Sequence, residues 1–347
     1  MLKKVFSTFI ALVLLLQALT LSSCAKVKKQ YSEYSFDLFD TVTKITGYAE
    51  SEEEFQEINA LVMNELWEYH RLFDIYKRYD GMENLCTINE LTDSAHRTVK
   101  VDVRIIEMLT YAIEMYEKTD GKVNVAMGSV LSIWHDYRQS GEADPFSAQL
   151  PPMDKLLEAA KHTDINALVI DRENNTVTIT DPEMKLDVGA IAKGYAVEMV
   201  ARKLEEKGIS GYVLNVGGNI RAIGAKGDGN PWKVGLENPF DSEDEPYIAY
   251  LYLDGGSLVT SGSYLRYYIV NGKRYHHIID PETLMPSEDF TSVAVLCESS
   301  AMGDALSTAL FCMDLESGMA LVESLDGVEA IWVLSNGDIK RTSGFPE

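Results

Sequence analysis

Two adjacent histidines, His276 and His277, follow a polar Thr260-Ser-Gly-Ser263 loop and lead into Asp280-Pro281. An imidazole titrates near neutrality, so it is the natural side chain for taking a proton from a hydroxyl. Set beside hydroxyl-rich residues, the pair points to a site that moves protons near a phosphate or a hydroxyl. Neighbouring side chains on a strand face opposite sides, so one of the two at most faces a given site. The plainer alternative is one packed histidine, one solvated histidine, and a turn at Asp280-Pro281.

Two further constellations could carry chemistry. In Leu186-Asp-Val-Gly-Ala-Ile-Ala-Lys-Gly-Tyr-Ala196, glycine at a strand-to-helix junction permits close backbone approach, and a helix N-terminus favours an anion. Lys193 falls in the first turn, within reach of a diphosphate. The phosphate-loop pattern with Lys-Ser/Thr after glycine is absent, and ordinary strand–helix packing with Asp187 as a cap remains the alternative. Asp304 and Thr308, four apart on a helix, share one face. A carboxylate and a hydroxyl make a hard, oxygen-only half-site suited to magnesium rather than zinc. A solvated aspartate and a threonine bonded to its own helix would look the same.

The elements that must position these residues alternate irregularly. Phe36–Tyr48 reads as a strand. Ser51-x-x-Glu54 has capping-box spacing before the helical stripe Phe55, Ile58, Leu61, Val62, Leu66, which runs towards Phe73. Asp102 caps a second helix closed by Gly121, and a short helix falls near Asp154–His162. Ala167–Asp171 and Thr176–Thr180 form a hairpin around Glu-Asn-Asn. A helix from about Ala190 to Lys207 stops at Gly208. Short strands follow at 212–216, 221–224, 233–236, 248–253, 258–260, 267–270, 273–278 and 292–296, with Asn271-Gly272 as a hairpin turn. A helix over about Ala301–Met313 and a terminal hairpin at Asn336-Gly337 end the chain. Ser140–Pro152 reads as a loose surface excursion. Helices mixed with hairpins imply an α+β fold of mainly antiparallel sheets rather than a doubly wound one.

The N-terminal residues give an address. Lys3 and Lys4 precede an almost unbroken apolar run, Val5–Leu21, then Leu-Ser-Ser-Cys24. This is the layout of a secretory signal of the lipoprotein kind, with residues 1–23 as signal peptide and Cys24 as the lipidated N-terminus. The alternative is a transmembrane anchor, for which the run falls slightly short of the ~20 residues a spanning helix prefers. Residues 24–35 read as a polar tether and 36–347 as one domain on the outer face of a bacterial cell membrane. The chain carries 54 acidic against 31 basic residues, a net charge of −23. Such a body is a poor partner for nucleic acid, whose binding rests on Lys and Arg. Beyond Cys24 only Cys86, Cys297 and Cys312 remain. An odd number without Cys-x-x-Cys spacing argues against a disulfide framework, zinc or an iron–sulfur cluster.

Several motifs in order carry a resemblance. They are Phe39-Asp-Thr41, Val123-Asn124 to Trp134, Leu186-Asp187 through Lys193-Gly-Tyr-Ala196, Asn215-Val-Gly-Gly-Asn219, Trp232-Lys-Val-Gly, Glu237-Asn-Pro239, Ser261-Gly-Ser, His276-His-Ile-Ile-Asp-Pro281 and Ala301-Met-Gly-Asp304-Ala-Leu-Ser-Thr308. From about Phe36 onwards the chain resembles the ApbE family, the FAD:protein FMN transferases. The resemblance implies an ApbE-like, T-fold-related architecture and a magnesium-dependent reaction. A Thr or Ser hydroxyl of an exported redox-complex subunit attacks the FMN phosphorus of FAD and AMP leaves. It also implies that Asp304, Thr308 and the carbonyl of Ala190 bind magnesium. Phe39, Tyr76, Lys122, Val123, Asn124, Asp187, Lys193 and Ile278 would line the FAD, and His277 would be the base or contact the flavin phosphate. Arg266 is a lesser phosphate contact. Two motifs depart from the pattern: Phe39-Asp40-Thr41 stands for Met-Gly-Thr, and Val123-Asn-Val-Ala-Met-Gly128 for Phe-Asp-Pro-Thr-Val-Gly. Water in place of the hydroxyl would give an FAD pyrophosphatase, and loss of turnover a flavin-binding lipoprotein.

Overall fold

The structure is a computed structural model that describes residues 27–91, 97–240 and 244–346. Cys24 and the signal segment lie outside the described residues. No helix among the described residues is long and apolar enough to cross a membrane.

The centre is an antiparallel sheet of eight strands in the order β1-β2-β6-β7-β10-β13-β14-β15. They are β1 (Lys29–Leu38), β2 (Thr41–Ala49), β6 (Tyr212–Val216), β7 (Asn219–Ile223), β10 (Gly256–Gly262), β13 (Phe290–Cys297), β14 (Glu329–Leu334) and β15 (Ile339–Arg341). Residues 29–35, read from sequence as tether, thus belong to β1. The single strand expected over 36–48 is two, because Phe39 and Asp40 turn the chain with φ of 51° each. Two consecutive left-handed residues between paired strands make a type I′ hairpin turn, for which Asn-Gly is the usual choice. Smaller pieces are a three-stranded sheet in the order β3 (Arg97–Lys100), β5 (Thr176–Ile179), β4 (Leu168–Asp171), and the hairpins β8–β9 (Trp232–Glu237, Tyr247–Leu253) and β11–β12 (Tyr267–Val270, Lys273–His276).

Helices α1 (Glu52–Phe73), α6 (Ala192–Glu206) and α7 (Ser300–Phe311) cover one face of the main sheet. Alternation along β7 shows why. Asn219, Arg221 and Ile223 face the helices, while Ala222 joins Trp232, Val234, Leu236, Leu251 and Leu253 of β8–β9 on the other face. Further helices are α2 (Leu85–Glu90), α3 (Val103–Lys118), α4 (Gly128–Ala143) and α5 (Met153–Ala159). Helix α8 (Leu315–Glu323), capped by Asp314, backs β14. A third apolar cluster joins Val130, Ile133 and Trp134 of α4 to Tyr268 and Val270 of β11. Residues 140–143 of the supposed excursion are therefore helix.

Candidate active site

A cleft of about 290 Å³ opens where β10, the start of α6, α7, α4 and the segment after β12 converge. Tyr76, Lys122, Asn124, Asp187, Ala190, Lys193, Arg266, His277, Ile278, Asp304 and Thr308 all line it. Chain segments far apart in sequence meet here through backbone bonds. Asp187 N–H donates to Val125 O at 2.9 Å and Gly128 N–H to Lys185 O at 3.0 Å, which ties residues 122–128 to 185–187. A side chain at Gly128 would place Cβ 2.5 Å from that carbonyl, so this approach needs glycine.

Two expected lining residues sit elsewhere. Val123 is buried in the main core, its N–H bonded to Thr119 Oγ1. Phe39 is not among the residues lining the cleft: its ring meets His70 edge-on at 5.4 Å and its N–H donates to His70 Nδ1 at 3.2 Å. Thr41 is the member of that motif that faces the cleft. Asn124 lines the cleft with its amide already engaged, Nδ2 to Thr163 O and Oδ1 from Ala126 N–H, both at 2.9 Å.

The histidine pair separates as alternation requires, although β12 stops at His276. His276 is buried against Phe311, donates from Nε2 to Ser287 O at 2.6 Å, and accepts Ile278 N–H at Nδ1. Both of its nitrogens are satisfied, and burial holds it below its ordinary pKa, so it is a neutral structural residue. His277 faces the cleft. Its Nδ1 lies 3.3 Å from Arg266 O, an acceptor only, so Nδ1 carries the proton and Nε2 keeps its lone pair. Burial, then the charges of Arg266 and Arg138, pull its pKa down to about 3.

That shift has a sign in stability. The unfolded chain takes up a proton near pH 6.5 where folded His277 does not, so folding is favoured above about pH 6.5 and loses support as pH falls towards 3. His276 and His70, both lowered by burial, act in the same direction. In denaturant titrations between about pH 7 and pH 4.5, His277→Asn is expected to lose stability less steeply than the wild type. Equal slopes would mean that folded His277 protonates freely.

The cleft is cationic in an acidic chain. Lys193 Nζ stands 3.6 Å from Asp304 Oδ1. Lys122 bonds Asp280 at 3.0 Å and Glu282 at 3.1 Å. Burial alone would lower its pKa, but these two partners hold it above its ordinary value. Arg266 Nη2 donates to Asp40 O at 2.5 Å, bracing the type I′ turn across the mouth. Sequence reasoning missed α4 and with it His135 and Arg138, one turn apart and 3.2 Å from each other, with Tyr76 stacked on His135 at 5.1 Å. The stripe Val130, Ile133, Trp134 was the available signal. Burial pushes the Asp187 carboxyl above the usual carboxylate range, against the pull of Gly189 N–H, His135 and Arg138.

Asp304 is 4% exposed. Its Oδ2 accepts Gly194 N–H at 2.7 Å and its Oδ1 accepts Asn219 Nδ2 at 3.3 Å. Thr308 Oγ1 is 3.3 Å from Ser261 Oγ. Among the described residues no three His, Cys, Asp or Glu side chains gather as a metal cage. Asp304, Thr308 and the Ala190 backbone do share the cleft, an all-oxygen set with a single carboxylate. That donor set fits magnesium, which is commonly held by one or two carboxylates together with substrate phosphates.

The ApbE family model matches residues 39–332. The chain belongs to the ApbE family. An FAD:protein FMN transferase of Klebsiella pneumoniae is 31% identical over 282 residues, 79% of this chain and 84% of that protein. The crystal structure of an ApbE protein from Thermotoga maritima superposes with a TM-score of 0.78 at 28% identity, covering 91% of this chain and 98% of the other. The ApbE flavin transferase of Vibrio cholerae gives a TM-score of 0.74 at 26% identity, covering 92% and 98%. This ApbE-family chain is therefore an enzyme of the transferase class, and its mixed, mainly antiparallel architecture is that of the family.

Proposed function

We propose that the chain is a magnesium-dependent FAD:protein FMN transferase that modifies an exported redox protein. The observation that carries this reading is one cleft holding a neutral histidine with a free Nε2, four cationic side chains and an all-oxygen cation half-site. The acceptor's Thr or Ser oxygen bonds to the FMN phosphorus, and the P–O bond to the AMP portion breaks. AMP leaves with the bridging oxygen, and the hydroxyl proton passes to His277 Nε2. Asp304, Thr308 and the Ala190 carbonyl would hold magnesium, which when bound would neutralise charge on the diphosphate. Lys193, Arg138 and Arg266 supply the remaining positive field. A diphosphate among them offsets the charges that depress His277, so the imidazole becomes more basic once FAD is bound. Cys24 would carry the lipid that keeps the enzyme at the outer face of the membrane.

The test is to incubate the chain from Ala25 onwards with FAD, magnesium and a Thr-containing acceptor, and to follow the acceptor's mass. A gain of one covalent FMN with release of AMP is expected. AMP without acceptor modification would make the enzyme a pyrophosphatase, and intact bound FAD would make it a flavin carrier. His277→Asn should lower kcat by about 10²–10⁴, while His276→Asn should chiefly lower the melting temperature. The opposite order would reassign the base.

A further inference from the structure

A buried ion pair lies behind the cleft and is used by no step above. Glu198 of α6 is 2% exposed and Arg221 of β7 is 4% exposed. Glu198 Oε2 accepts Arg221 Nε at 3.1 Å and the N–H of Ser300, the first residue of α7, at 2.9 Å. Its Oε1 accepts Arg202 Nε at 2.8 Å, and Arg221 reaches on to Glu205 at 2.9 Å.

This cluster repeats the arrangement at the cleft one step deeper. At the cleft, Gly194 of α6, Asn219 of β7 and Asp304 of α7 meet. Behind it, Glu198, Arg221 and Ser300 meet. The spacing is four residues on each helix and two on the strand. Four helical residues rise about 6 Å and two strand residues about 6.6 Å, so the two rungs are parallel and evenly set. The helices also exchange carboxylates: α7 offers Asp304 to the Gly194 amide, and α6 offers Glu198 to the Ser300 amide. A carboxylate at the first residue of a helix is also favoured by the helix dipole.

We infer that Glu198, anchored by Arg221, is a positioning residue: it fixes the register of α7 on α6 and thereby places the Asp304 carboxylate at the cleft. A slip of α7 would carry Ser300 and Asp304 together, because both lie on one rigid helical face. Gly194 leaves no room to take up such a slip, since Asp304 Cβ and Ser300 O would each stand 2.3 Å from a Cβ built there. The consequence for cation binding rests on the reading of Asp304 given above. The placement of its carboxylate does not.

The test is Glu198→Gln in the full-length protein. Whichever way the new amide turns, an NH₂ group faces at least one of the three donors: Arg202 in one orientation, Arg221 and Ser300 in the other. The remote readout is hydrogen exchange at the Gly194 amide, which touches Asp304 and not residue 198. We expect that amide to exchange about tenfold faster in a variant that still melts cooperatively. Manganese binding, followed by the loss of the free-ion EPR signal, should weaken about fivefold or more relative to wild type. Unchanged Gly194 exchange overturns the proposal, and so does faster exchange with wild-type manganese affinity. Faster exchange where the wild-type protein itself binds no manganese supports the positioning role and sinks the cation reading instead. If Glu198→Gln does not fold, the double variant Glu198→Gln/Arg221→Gln, whose two amides can pair without charge, takes its place with the same outcomes.

Discussion

Asp304→Ala is expected to reduce flavin transfer by about 10³-fold or more, on the scale of losing a principal electrostatic contact in the transition state. The side chain accepts two buried donors, Gly194 N–H and Asn219 Nδ2, and faces Lys193. Truncation leaves those donors unpaired at a cost of about 1–3 kcal/mol each, so the variant should also melt lower. Asp304→Asn separates the two effects. It can still accept the Gly194 amide while lacking the charge that holds a cation, so it should keep most of the stability and little of the transfer. The check is acceptor mass against magnesium concentration, alongside thermal melting. Full turnover in Asp304→Asn would remove the carboxylate from the cation site.

Gly194→Ala is expected to be nearly as damaging by a route that touches no reacting group. The added carbon would sit 2.3 Å from Asp304 Cβ and from the Ser300 carbonyl oxygen, neither of which is the free end of a flexible side chain. Alanine in a helix gains about 1 kcal/mol over glycine, and overpacking costs about 1–3 kcal/mol or more. The steric term should win: lower stability, displaced α7 and weakened transfer, read by thermal melting and by the acceptor assay. A more stable and fully active variant would show that α6 and α7 can separate without consequence.

Much of the site was legible because its chemistry is carried by residue types at fixed spacings. Asp304 and Thr308 sit on one helical face because they are four apart, and His276 and His277 diverge because they are adjacent in extended chain. Legibility failed where a signal depends on a distant partner. Helix α4 packs on the β11–β12 hairpin and not on the main core. Its stripe is narrow and diluted by Ser, His and Gly, so Trp134, His135 and Arg138 went unplaced. Strand β1 is an edge strand, solvated along most of its length, and shows no alternation to read. Phe39 and Asp40 are poor type I′ residues, and nothing local announces the turn. Contacts to His70 and Arg266, 31 and 226 residues away, accompany it. Val123 was placed at the flavin by resemblance alone, and the core claims it.

The extra strand residues change the geometry of anchoring. With Cys24 acylated as proposed, the lipid would sit five residues ahead of the start of β1 at Lys29. Five residue steps of fully extended chain reach at most about 17 Å, where a twelve-residue tether over 24–35 would reach about 40 Å. The catalytic body would then be held on a short leash, unable to swing out to partners standing far from the bilayer. The cleft mouth, braced at the Asp40 turn, lies at the other end of β1, about 30 Å of strand from Lys29. Acceptors would have to bring their hydroxyl within a few tens of ångströms of the lipid, which favours domains themselves fixed to the membrane over freely diffusing ones.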